Sequence, residues 1–134
     1  MATDLTRAQY AALIEDTIRI LRADVDPQMP IQAVLMFLAV PMKGETSSTA
    51  LQKAVPDIGQ SSASRMLHLL EGVSKRKVGG GYGLIEAWDD PMDRRHRLVR
   101  MTDEGRVLME RLHTSAARLL DRMQQHSTER SNAP

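Results

Sequence analysis

Residues 83–105 read GLIEAWDDPMDRRHRLVRMTDEG, and this run decides the fold. Gly83–Trp88 reads as a strand. Asp89, Asp90, Pro91, Met92 and Asp93 are turn chemistry, because Asp side chains bond nearby backbone and proline presets φ. Arg95–Met101 alternates well enough for a second strand. Together they make a hairpin whose tip carries Arg94 and Arg95. Thr102 then stands as a helix cap, and Asp103 and Glu104 fall in a first helical turn, where the dipole favours carboxylates.

Upstream of the hairpin, Gln60 to about Val73 is a helix, with Ala63, Met66, Leu67, Leu70 and Val73 at helical spacing. Its other face carries Gln60, Ser61, Ser62, Ser64, Arg65 and His68. Pro56-Asp57-Ile58-Gly59 before it is a tight turn. Ser47 and Ser48 cap a brief helix from Thr49 to about Val55, and Met42–Thr46 is a short extended connection. A short helix, a turn and a second helix with a polar leading face make a helix-turn-helix. Between that helix and the hairpin lies a flexible basic loop, Lys75, Arg76 and Lys77 followed by three glycines that resist regular structure.

At the N-terminal end, residues 4–25 place Leu13, Ile14, Ile18, Leu21 and Val25 on one helical face. Pro27 and Pro30 interrupt it, and Pro30 opens a helix from Ile31 to about Val40 that is apolar nearly all round and so belongs in the core. At the other end Val107, Leu108, Leu112, Ala116, Leu119 and Met123 form a stripe to about residue 124, and the polar tail Gln125–Pro134 is expected to be disordered. Stripes this long in so small a chain have apolar surface left over, and a twofold partner is the common way to cover it. Leu13, Ile14, Ile18, Leu21, Leu112, Leu119, Leu120 and Met123 are the candidate dimerisation residues. The expected architecture is mainly α with a small β-wing: a winged helix-turn-helix over about 31–101, between dimerisation helices at about 4–25 and 103–124.

A chain of 134 residues suits a single domain. It contains no cysteine, which excludes disulfides, thiolate metal sites, iron–sulfur clusters and thiol-based sensing. Trp88, Tyr10, Tyr82 and Phe37 are its only aromatics, too few for a single-strand stacking platform. No apolar run spans a membrane and no signal pattern opens the chain, so a soluble cytoplasmic protein with no membrane partner is expected. His68, His96, His113 and His126 lack paired ligand spacing, the glycines at 79–81 do not form a phosphate loop, and no serine sits in a Gly-x-Ser-x-Gly context. The expectation is a protein that is not an enzyme and holds no metal or cofactor.

The net charge is only +1, but it is unevenly placed. Within residues 60–101 stand Arg65, Lys75, Arg76, Lys77, Arg94, Arg95, Arg97 and Arg100 against Glu71, Glu86, Asp89, Asp90 and Asp93, whereas residues 1–30 are net acidic. A neutral chain with its positive charge in one region suits a polyanion meeting one face.

The segment Ile58–Leu67 resembles the start of the DNA-reading helix of MarR-type (multiple antibiotic resistance) regulators. Gly83-Leu84-Ile85 resembles their first wing strand. Asp90-Pro91-Met92-Asp93-Arg94-Arg95, followed by Leu98–Gly105, resembles their wing tip, second wing strand and next helix. The likeness covers roughly residues 10–124, with Gly72–Tyr82 standing as an insertion where the family has a tight turn. It implies a homodimer built from the first and last helices, with two heads for a partly palindromic DNA duplex. It implies that Asp93 orients one of the tip arginines, and it brings in a small-molecule effector of unidentified chemistry.

The candidate DNA-contacting residues are Ser48, Thr49, Gln60, Ser61, Ser62, Ser64, Arg65, His68, Lys75, Arg76, Lys77, Arg94, Arg95 and Arg97. Arg65 suits guanine or a phosphate, Gln60 suits adenine, and tip arginines suit a narrow minor groove. The expected function is a sequence-specific transcriptional regulator, a repressor that occludes a promoter. Two other readings fit the same pattern: a sequence-tolerant architectural or replication factor, and a winged-helix module that meets a protein.

Overall fold

Thr6 starts the first helix by a reciprocal cap. Its Oγ1 accepts the Gln9 N–H at 3.1 Å, and Gln9 Oε1 accepts the Thr6 N–H at 2.9 Å. The computed structural model of the chain describes residues 4–72 and 81–131, with side chains to residue 126. In order the elements are α1 (Arg7–Asp24), α2 (Ile31–Leu38), β1 (Thr46–Ser47), α3 (Ser48–Lys53), α4 (Gln60–Glu71), β2 (Ile85–Asp89), β3 (Arg97–Met101) and α5 (Asp103–Ser131). The chain divides into two compact units: Gln28–Val107, and the two ends Met1–Pro27 with Leu108–Pro134.

In the central unit the sheet order is β1-β3-β2, antiparallel throughout. Ile85 pairs with Met101 and Asp89 with Arg97, while Thr46 of β1 pairs with Val99 on the other side of β3. Period-two alternation turns Ile85, Val99 and Met101 inward. The core there also takes Ala33, Met36 and Phe37 of α2, Leu51 of α3, and Ala63 and Leu70 of α4.

Helix α2 departs from its expected place. Only one of its faces is buried; Ile31, Leu35 and Leu38 are 62%, 41% and 47% exposed. At 3.6 residues per turn, 31, 35 and 38 fall on the side opposite Ala33 and Phe37, so an all-apolar helix of two turns cannot be covered from one direction. It also ends at Leu38, short of the expected Val40, in a tight last turn before Pro41.

Helix α4 stops at Glu71, before the expected Val73, because Gly72 takes φ +23°. The described residues on either side of 73–80 close the junction of α4 and the hairpin. Tyr82 N–H donates to Leu69 O at 2.7 Å and Leu84 N–H to Leu70 O at 2.9 Å. Gly72 and Gly81 meet backbone to backbone, where any Cβ would clash. The last turn of α4 therefore feeds the start of β2 at short range, whatever the length of chain between them.

Both hairpin strands begin later than expected, at Ile85 rather than Gly83 and at Arg97 rather than Arg95, and β2 runs one residue past the expected Trp88, to Asp89. Thr102 caps α5 as expected, its Oγ1 accepting the Gly105 N–H at 3.0 Å while donating to Gly83 O at 2.7 Å. Helix α5 continues to Ser131, so residues 125–131 are helical rather than the disordered tail expected from their polarity. Good helix formers such as Gln125, Glu129 and Arg130 occur there, with no glycine or proline before Pro134.

In the unit formed by the chain ends, Ser115 Oγ donates to Asp16 at 2.8 Å and Arg111 pairs with Asp24, tying α1 to α5. Leu21 and Leu112, placed by sequence among the dimerisation residues, are 2% and 5% exposed and already belong to the core of this chain. Ile14 is exposed, and Leu13, Ile18, Leu119, Leu120 and Met123 are half-buried.

Candidate nucleic-acid interface

Helix α4 begins at Gly59 without a side-chain cap, which leaves the serines of its first turn uncommitted to capping. Ala63, Met66, Leu67 and Leu70 fill its inner face. That pattern turns Gln60, Ser61, Ser64, Arg65 and His68 outward, all exposed, with Ser62 half-buried at the edge. Arg65 makes no ion pair among the described residues. A row of short hydrogen-bonding side chains with the Arg65 guanidinium, on a helix of 12 residues, is suited to base edges and phosphates.

The wing tip is two successive turns, each opened by an aspartate. Asp90 Oδ1 accepts the Met92 N–H at 2.8 Å, and the Asp93 N–H reaches Asp90 O at 3.3 Å. Asp93 Oδ1 accepts the Arg95 N–H at 3.0 Å. The Arg95 guanidinium returns to the same carboxylate, Nε to Oδ1 at 3.0 Å and Nη2 to Oδ2 at 3.1 Å. That bidentate pair, seconded by the backbone N–H, holds the Asp93 carboxyl down at about 2 and pushes the Arg95 guanidinium up. Asp93 thus orients Arg95 rather than Arg94. Arg94 is exposed and makes no ion pair among the described residues.

Behind the tip, His96 lies between both aspartates, with Nε2 2.9 Å from Asp90 Oδ2 and Nδ1 3.6 Å from Asp93 Oδ2. The two carboxylates that look unhelpful for a polyanion are therefore engaged within the turn. The aspartate turns have a signal in the sequence, an Asp two residues ahead of each N–H donor, whereas the place of His96 between them has none.

Arg97, expected among the DNA-contacting residues, has partners within the chain. Its guanidinium donates to Glu71 Oε2 at 3.0 Å and Oε1 at 3.2 Å, and to Ala87 O at 2.8 Å. It is a half-buried tie between the end of α4 and the wing, with three hydrogen bonds from its two terminal nitrogens. A groove of about 480 Å³ runs here, lined by Ser64, His68, Glu71, Asp89 and Arg97 among others. Ser48 is likewise engaged, its Oγ accepting the Arg97 N–H at 2.9 Å, while Thr49 is exposed. Lys75, Arg76 and Lys77 lie outside the described residues. Sequence reasoning did not find Glu71 as a partner, because nothing local marks a glutamate that meets a strand from another part of the chain.

Among the described residues no group of three or more His, Asp or Glu is placed to hold a metal ion, and no helix is long and apolar enough to cross a membrane.

Against solved structures, the chain matches MarR with a TM-score of 0.58, at 16% identity over 92% of this chain and 83% of that one. RV1404 from Mycobacterium tuberculosis matches with a TM-score of 0.62, at 18% identity over 93% of this chain and 83% of that one. The fold is that of the MarR-type regulators. The PcaV transcriptional regulator from Streptomyces coelicolor, solved with its natural ligand, shares it at a TM-score of 0.52 and 22% identity, over 92% of this chain and 82% of PcaV. No family model matches the sequence, and no curated protein matches it either.

Proposed function

We propose that the protein is a sequence-specific, double-stranded-DNA-binding transcriptional regulator that acts as a homodimeric repressor. The observation that carries this is the outward row Gln60, Ser61, Ser64 and Arg65 on α4, beside a wing whose tip carries Arg94 unpaired among the described residues. In this reading α4 enters the major groove by its N-terminal half, and the wing lays Arg94 and Arg95 along the minor groove. Lys75, Arg76 and Lys77 add phosphate contacts. The acids Glu71 and Asp89 restrict base contact to the first two turns of α4.

The exposed Ile14 and half-buried Leu13, Ile18, Leu119, Leu120 and Met123 supply the surface for a second copy. A dimer occludes a promoter by placing two heads on one duplex, and a small-molecule effector would act by shifting their spacing. The structure of PcaV with its natural ligand supports including an effector. The chain acts by binding, without catalysis and without a cofactor, in the cytoplasm.

The test is incubation with a random-duplex pool at about 150 mM salt, followed by sequencing of what is retained. Enrichment of a twofold-symmetric motif, with half-sites about one helical turn apart, is the expected result. Retention without a motif would replace it with a sequence-tolerant binder, and no retention would replace it with a module that meets a protein.

A further inference from the structure

Met92 is 90% exposed, more than any other large hydrophobic residue found exposed among the described residues. It occupies the third position of the turn Asp90–Asp93, behind Pro91, whose ring fixes φ. The Asp90 carboxylate holds that turn from both sides: Oδ1 accepts the Met92 N–H at 2.8 Å and Oδ2 meets His96 at 2.9 Å. Asp93 opens the next turn and is closed by Arg95. The tip is held by these bonds, its carboxylates are engaged, and Met92 leaves an unbranched thioether chain almost wholly in solvent, two residues before Arg94. Burial in the fold gives Met92 no role, since almost none of its side chain touches the protein.

We propose that Met92 is an apolar wedge that enters the minor groove of a DNA duplex and partly opens a base step there. This rests on the DNA-binding reading above. Apolar side chains flanked by cations are the combination that unstacks a step and bends the duplex toward the major groove. The cations are drawn by the groove's negative potential, and the thioether replaces water against the exposed base faces. Pyrimidine–purine steps unstack at least cost, so the wedge reads deformability where α4 makes no base contact. It gives the protein a second determinant of sequence that involves no hydrogen bond.

The test uses the duplex retained by the wild-type protein from the random pool, with a TA or a GC step placed under the wing. Wild type is compared with Met92→Leu, Met92→Gln and Met92→Ala; the residue is exposed, so all should fold. Affinity, its salt slope and duplex bending by energy transfer between end labels are measured. Met92→Ala and Met92→Gln should lose about tenfold in affinity, as expected for partial burial of a methionine side chain. They should also lose the preference for the TA step and most of the bend, whereas Met92→Leu retains all three. The salt slope should stay at the wild-type value, because no phosphate contact is removed. Wild-type affinity and bend in Met92→Ala and Met92→Gln would overturn the wedge and leave the DNA-binding reading standing. A wild-type protein that retains no duplex would overturn both.

Discussion

The Arg97 guanidinium closes a two-point ion pair on Glu71, at 3.0 and 3.2 Å, and so joins the last turn of α4 to the first residue of β3. Both side chains are about one-third exposed or less, and the third donor contact, to Ala87 O, leaves the guanidinium little to offer a ligand. These contacts tie α4 to the β2–β3 hairpin.

Glu71→Gln should therefore lower stability by about 1–2 kcal/mol, the range of a partly exposed charge-assisted pair. Urea unfolding should show a lower midpoint with an unchanged slope, and the double variant with Arg97→Gln should cost less than the two single losses combined. In DNA binding, Arg97→Gln should leave the salt slope intact, whereas Arg94→Ala should lower it by about 0.9. A reduced slope in Arg97→Gln would make Arg97 a phosphate contact after all.

Lys75, Arg76 and Lys77 are tested the same way. Replacing all three by glutamine should reduce the salt slope by about 0.9 for each one that neutralises a phosphate, with thermal stability unchanged. An unchanged slope would remove the inserted loop from the DNA surface.

Asp93 should titrate far below an ordinary carboxylate. Its folded value of about 2 lies under the usual 3.8, chiefly through the Arg95 side-chain hydrogen bonds. A depressed folded value means that the pair stabilises the tip above the ordinary carboxylate range and is lost as pH falls from about 4 toward 2. Carboxyl-carbon NMR should place the Asp93 midpoint near the bottom of that window, and Arg95→Ala should raise it toward 3.8. If Arg95→Ala leaves the midpoint where it was, the pair does not form in solution.

Gly105→Ala tests the packing of α5 on the wing. A Cβ there would lie 2.2 Å from the Leu84 carbonyl oxygen and 2.6 Å from Met101 Cγ. Although alanine is the better helix former, the substitution should cost about 1–3 kcal/mol by overpacking. A raised melting temperature would show that the strand yields instead.

Ile14→Asp should separate dimer from core. Ile14 is 48% exposed, so a charge there leaves the chain folded but should reduce the solution mass from two chains to one at micromolar concentration. Leu21→Ala, at 2% exposure, should instead cost about 2–5 kcal/mol of folding stability. A wild-type mass of one chain would remove the dimer from the proposal.

The features legible in the sequence are those whose cause is local. Helical spacing at Ala63, Met66, Leu67 and Leu70 places the outward row of α4, the serine at 47 and the threonine at 102 cap the helices that follow, and Asp90-Pro91 and Asp93 write the wing turns. Each depends on contacts within a few residues, so the amino-acid order is enough to read it. The expected end of α5 failed for a related reason: polarity alone does not break a helix where no glycine or proline intervenes.

What only the tertiary structure decided are relationships between distant segments. Sequence expects Arg97 among DNA-facing cations, and only the fold shows its partners, Glu71 at the end of α4 and the Ala87 carbonyl on β2. Helical spacing puts Leu21 and Ile14 on one stripe, whereas packing buries the first and leaves the second exposed. Sequence separates helix and hairpin by the stretch 72–82, and only the fold brings Gly72 against Gly81. Periodicity states which residues share a face. Which neighbour covers that face, and which charge meets which, depends on register and packing between segments far apart in the chain.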